Sequence, residues 1–229
     1  MISQTFTKTA SLYRAAGWTA IASGVIGIIT FSALITAVNV RNSQGMEGAA
    51  FVLFRTHDMG AVIQFVLIIP LAFALYKLSQ QKPPEISRAM HNVGIVSLSF
   101  TVLLLLLILP KIVADPLYMF PQGVFGVWLI FVCWRMKNVL ARGLSWFGIV
   151  VGFGLALVGL FPLGYAIFID TVVLQIPAAP DAVIEKIPTD TPANNILHYI
   201  LFTGTFLGII TLPILTILLG RRLLREKSF

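Results

Sequence analysis

Six apolar stretches, each about as long as a bilayer is thick, recur along this chain. They fall at 17–38, 57–78, 93–114, 117–136, 144–169 and 196–220. A helix of about 20 apolar residues crosses the hydrocarbon core of a membrane and satisfies its own backbone polar groups there. Six such stretches leave few folds open. The chain is expected to be all-α, a polytopic membrane protein with six transmembrane helices in a single domain over 1–229. Composition agrees. Hydrophobic residues make up 58% and charged residues 11%, where a soluble domain carries about a quarter charged residues. Mean hydropathy is +0.92. A chain this apolar has too little polar surface to cover itself in water, so its solvent must be largely lipid. The first stretch is too long for a signal-peptide core of roughly 7–15 residues and reads as an uncleaved span. The one cysteine, Cys133, sits in an apolar run. It has no partner for an internal disulfide and reads as a small buried residue.

Charge between the spans gives the orientation. With the N-terminus in the cytoplasm, the inner side holds twelve basic residues: Lys8, Arg14, Lys77, Lys82, Arg88, Arg135, Lys137, Arg142, Arg221, Arg222, Arg225 and Lys227. The outer side holds four, Arg41, Arg55, Lys111 and Lys186. Basic residues concentrate on the cytoplasmic side of membrane proteins, so both termini are expected inside, in the bacterial cytoplasmic membrane. The net charge of +7 is then a topology signal and a means of contacting anionic lipid. Nucleic acid is not an expected partner, because no soluble basic module with interleaved aromatics is present.

Two outer loops are expected, at about 39–56 and at 170–195. Prolines in the second break any long helix. A short amphipathic turn is expected over 179–187, and Thr191-Pro192 suits the cap and first position of the last helix. Gly148 and Gly152 form a GxxxG in the fifth span, and Gly204 and Gly208 form another in the sixth. Small residues four apart let helix backbones approach closely. Packing within the chain and docking of a second copy or partner both use such faces. Pro70, Pro110, Pro162 and Pro213 fall in spans two, three, five and six. That pattern fits either kinked helices or an inverted repeat of the transporter kind.

The stretch RTHDMG, residues 55–60, puts an arginine, a histidine and an aspartate within four positions at the lip of a span. At a helix entrance Thr56 would cap, Asp58 would meet the positive end of the helix dipole, and Arg55 would reach a headgroup phosphate. Deeper along the same face lies Gln64. An amide facing lipid is costly, so this face should look into the bundle. His198 begins the sixth span at a depth similar to His57, with Thr205 further along. His57, Asp58, Gln64, His198 and Thr205 are therefore the candidate polar cluster. Two histidines at equal depth can ligate a metal or haem or pass protons only if they face each other. His91 is expected at the cytoplasmic interface. HExxH, CxxC, nucleophile-elbow and phosphate-loop motifs are absent. No catalytic residue, cofactor or metal is predicted.

Three stretches, LYRAAGWTAIASGVIGI, RTHDMGAVIQFVLIIPLAFALYKL and WRMKNVLARGLSWFGIVVGFGLALVGL, resemble the bacterial six-helix membrane proteins grouped as domain of unknown function 4386. The resemblance implies the six-span architecture and carries over no catalytic residue. The function expected from these features is that of a non-catalytic accessory, scaffold or sensor-like subunit. Its expected partners are membrane lipid and another membrane protein or a second copy of the chain. The alternatives are a small transporter or lipid-handling protein, or a membrane enzyme or redox protein using His57 and His198.

Overall fold

The computed structural model describes residues 2–44, 48–81, 85–179 and 191–225, with the backbone alone for 2–10, 44 and 81. The helices in chain order are α1 (Ile2–Gln44), α2 (Ala49–Gln81), α3 (Arg88–Ile108), α4 (Met119–Arg135), α5 (Arg142–Phe168), α6 (Pro192–Gly204) and α7 (Leu212–Arg225). A π-helical turn, Thr205–Ile209, joins α6 to α7, and the two make one long span, Pro192–Arg225. Among the described residues there is no strand, and six helices are long and apolar enough to cross a membrane.

Local chemistry sets several helix starts. The Ser87 side chain accepts from the Met90 N–H at 3.2 Å, and that of Thr191 from the Asn194 N–H at 3.2 Å, with Pro192 next in line. Thr191-Pro192 thus opens the last span as its sequence suggests. Other boundaries differ from expectation. α1 and α2 run through most of the first expected outer loop, α2 opening with the apolar run AAFVLF at 49–54. Ser43 lies in that continuation, its hydroxyl donating to the Asn39 and Val40 carbonyls. α3 ends at Ile108, so Pro110 lies beyond it, followed by Lys111 with φ +57° and a short 3-10 turn at Asp115–Tyr118. Pro70 and Pro162 lie inside α2 and α5, and Pro213 lies in the first turn of α7. The proline pattern that suggested a repeat therefore does not map onto matching helix interiors. Most of the second outer loop, with the amphipathic turn expected over 179–187, lies outside the described residues.

The bundle is built by close helix pairs. α1 packs along α2 and α7, α4 along α5, and α5 against α6 and the π turn; α3 bridges α2 and α4. Phe125, Trp128, Ile68, Leu75, Leu155, Leu215 and Leu219 fill the core. Outward-facing side chains are as apolar as the core, with Ile167 72% and Val96 65% exposed. The GxxxG glycines are used within the chain. A Cβ at Gly148 would stand 2.3 Å from Cys133 Sγ, and one at Gly152 would stand 2.6 Å from the Gly126 carbonyl oxygen. A Cβ at Gly204 would lie 2.8 Å from the Gly154 oxygen, and one at Gly208 would lie 2.5 Å from the Leu155 nitrogen. These glycines let α4 cross α5, and α5 cross the sixth span, at backbone contact.

Candidate functional site

RTHDMG is not a helix entrance. α2 begins at Ala49, so these residues lie in its second and third turns. The Thr56 hydroxyl donates back to the Val52 carbonyl at 2.9 Å and caps nothing. Asp58 is removed from the N-terminal amides and instead pairs with His57 Nδ1 at 3.1 Å. Arg55 does not reach outward. Its Nη1 donates to the Leu109 carbonyl at 2.5 Å, tying α2 to the turn after α3, and its guanidinium stands over the Phe51 ring.

The same helix face leads into a cavity of about 220 Å³ between α1, α2, the start of α4 and the sixth span. His57, Gln64 and Thr205, three of the candidate polar cluster, line it together. Gly27 and Thr30 of α1, Tyr118 before α4, and Gln122 of α4 complete its polar and small lining; Phe31, Leu34, Phe65, Leu201 and Leu212 supply apolar wall. Gln64 is 7% exposed and Gln122 is 2% exposed. The Gln64 amide lies against Gly27, where a Cβ would come within 2.5 Å of Nε2. One helix turn is pinned there, because Ser23 Oγ donates to the Gln64 backbone oxygen at 3.1 Å. Gln122 Oε1 is buried without a hydrogen-bond partner. A buried unpaired carbonyl costs about 1–3 kcal/mol, so it is a place where a bound donor is favoured.

The far wall of the cavity is the π turn. The Ile210 N–H reaches back five residues to the Thr205 oxygen at 3.0 Å. Pro213 cannot donate to the preceding turn, and the Thr211 hydroxyl donates to the Leu207 oxygen within the loosened stretch. Such turns recur at functional sites because they carry side chains and carbonyls out of the regular helix path.

His198 does not join this group. It is exposed, its Nδ1 lies 2.8 Å from the Asn194 oxygen, and its ring stands edge-on to Phe161 of α5. The structure therefore does not assemble His57 and His198 into a two-histidine centre. Among the described residues, no three of His, Cys, Asp and Glu gather to hold a metal. His91, in the first turn of α3, is buried between Tyr76, stacked at 4.2 Å, and Phe73, edge-on at 4.9 Å. A larger cavity, about 610 Å³, lies between the 115–118 turn, the end of α5 and the Thr171–Leu174 turn. It is walled mainly by Val, Ala, Pro and the rings of Phe161 and Tyr165, and no buried unpartnered side-chain atom lines it among the described residues.

Sequence reasoning reached His57, Gln64 and Thr205 but missed Gln122, Tyr118 and Thr30. The signal for Gln122 was present: it is an amide in an apolar span, as costly in lipid as Gln64. The fold and cavity define an all-helical bundle of membrane-spanning dimensions with a small chamber whose mostly apolar wall carries six polar side chains, Thr30, His57, Gln64, Tyr118, Gln122 and Thr205. No family model, curated protein or solved structure matches the chain, so the family resemblance rests on the three sequence stretches themselves.

Proposed function

We propose that this chain is a multi-pass protein of the bacterial cytoplasmic membrane, with both termini inside. We propose further that it takes a small neutral, hydrogen-bonding molecule into the polar cavity, as a small transporter or lipid-handling protein does. The observation that carries this reading is the pair of buried glutamines, Gln64 and Gln122, on one chamber, with Gln122 Oε1 unpartnered. Among the described residues no Asp, Glu, Lys or Arg lines the chamber, which favours an uncharged guest. Its volume of about 220 Å³ lies below the usual range for drug-sized ligands and suits a small solute or a lipid headgroup. A native mass spectrum of the protein extracted from its own membranes in mild detergent tests this. A defined small-molecule adduct is expected on the wild type and should be lost in Gln122→Leu. If the wild type is bare and Gln122→Leu is merely more heat-stable, the chamber holds only water and the reading fails.

The accessory-subunit reading keeps one specific support. Tyr199, Phe202 and Phe206 are 74%, 73% and 59% exposed and form an aromatic stripe along the sixth span. The GxxxG faces no longer support it, being covered within the chain. A photo-crosslinker placed at Phe202 should capture a second membrane protein or another copy of the chain; capture of lipid alone would remove this reading.

A further inference from the structure

At the end of α7 farthest from the polar cavity, a groove of about 390 Å³ runs between that helix and the start of α5. Its floor is apolar, formed by Leu144, Phe147 and Leu218. Its rim is Arg221, Arg222 and Arg225. Arg221 and Arg225 are exposed and lie one turn apart on the same face of α7. Among the described residues, no carboxylate lines the groove. Gly143, in the first turn of α5, also lines it, and open space surrounds the position of its missing Cβ. Ala141 caps this 27-residue helix, and makes no side-chain hydrogen bond to its first amides. Guanidinium groups, a helix N-terminus and an apolar floor thus converge on one groove. The first two attract an anion; the last excludes a fully hydrated one.

Depth adds the source of that anion. Three of the four tryptophans are exposed, Trp18 at 58%, Trp134 at 57% and Trp146 at 60%. Trp134 lies beside the last residue of α4 and Trp146 in the opening turns of α5, flanking the basic Arg135 and Arg142. Trp18 adjoins Gly17, which packs on Gly220 of α7. Exposed tryptophans mark the headgroup level of a bilayer, and the groove lies at that level. We propose that it is a binding site for an anionic phospholipid, with Arg221 and Arg225 on the phosphate and an acyl chain along Leu144, Phe147 and Leu218. A basic pocket between helices at the membrane surface has the chemistry for such a headgroup. The site rests on the membrane reading and is independent of the polar cavity.

The test is native mass spectrometry of the full chain in detergent with equal amounts of phosphatidylglycerol and phosphatidylcholine of identical acyl chains. The wild type should retain the anionic lipid in preference. Arg221→Gln/Arg225→Gln should cut that preference by roughly 5-fold or more. Arg88→Gln/Lys137→Gln, which removes the same charge at the same end away from the groove, should leave it intact. Equal loss in both variants would mean diffuse surface attraction and would overturn the site, as would unchanged preference in the groove variant. Inorganic phosphate displacing the lipid completely would reassign the groove to a free anion. If the double variant does not fold, Arg225→Glu, exposed in the last turn of α7, makes the same comparison. Loss of the cavity guest in Gln122→Leu leaves this result untouched, so the two proposals fail separately.

Discussion

Gln122 carries the sharpest energetic consequence of any residue in the chain. Its oxygen is desolvated without a partner, so Gln122→Leu in guest-free protein should be neutral or stabilising by up to about 1–3 kcal/mol. A polar residue kept for packing alone would give the opposite sign, and thermal unfolding in detergent distinguishes the two. Ser23→Ala removes the hydroxyl that pins α1 to the Gln64 carbonyl and should cost about 0.5–1.5 kcal/mol by the same measurement. Gln64 was legible in the sequence because an amide well inside a span is conspicuous. Gln122 carried the same signal, masked by Pro121 beside it, which reads as a helix beginning, where polar residues are ordinary. His57 and Asp58 were legible as a polar cluster, but Thr56 and Asp58 were misassigned to a helix entrance. A cap is inferred from where apolar sequence starts, whereas α2 begins with the equally helical AAFVLF. His198 shows the converse limit: depth along a helix is readable, but the direction a side chain faces depends on neighbours distant in sequence.

Helix crossings supply the next test. Gly152 meets the Gly126 carbonyl, a backbone atom that cannot yield, so Gly152→Ala should force α4 from α5 and cost roughly 1–3 kcal/mol. Gly143→Ala, with open space around it, should be neutral or stabilising by up to about 1 kcal/mol. Cys133 lies at this crossing, fully buried under Gly148. Its rate of labelling by a thiol reagent therefore reports separation of α4 and α5: slow in the native bundle, and faster in Gly152→Ala before global unfolding. The glycine motifs could be found from spacing, but their partners could not. The helix ends were the least legible feature, because hydropathy marks the thickness of lipid whereas a helix continues until its hydrogen bonding fails.

Across the whole molecule, the described basic side chains divide unevenly between the two ends of the bundle. Arg14, Lys77, Arg88, Arg135, Lys137, Arg142, Arg221, Arg222 and Arg225 lie toward one end, and Arg41, Arg55 and Lys111 toward the other. In a variant with Cys133 replaced, a cysteine at Ala179 should react with an impermeant thiol reagent added outside cells, and one at Asn138 should not. The reverse pattern would overturn the proposed orientation. The six-span plan was legible because it follows from composition and length alone. The chamber was not, since it depends on the π turn, which no periodicity announces. That turn also means the sixth span holds one residue more than a continuous α-helix needs to join its two ends. Each residue of an α-helix advances about 100°, so a deletion in 213–219 would swing Gly220 away from Gly17. A deletion between Thr205 and Ile209 should instead take up slack, leaving both flanks in phase. The bundle thus has a point where its length can change while its fold stands, and that point is a wall of the chamber.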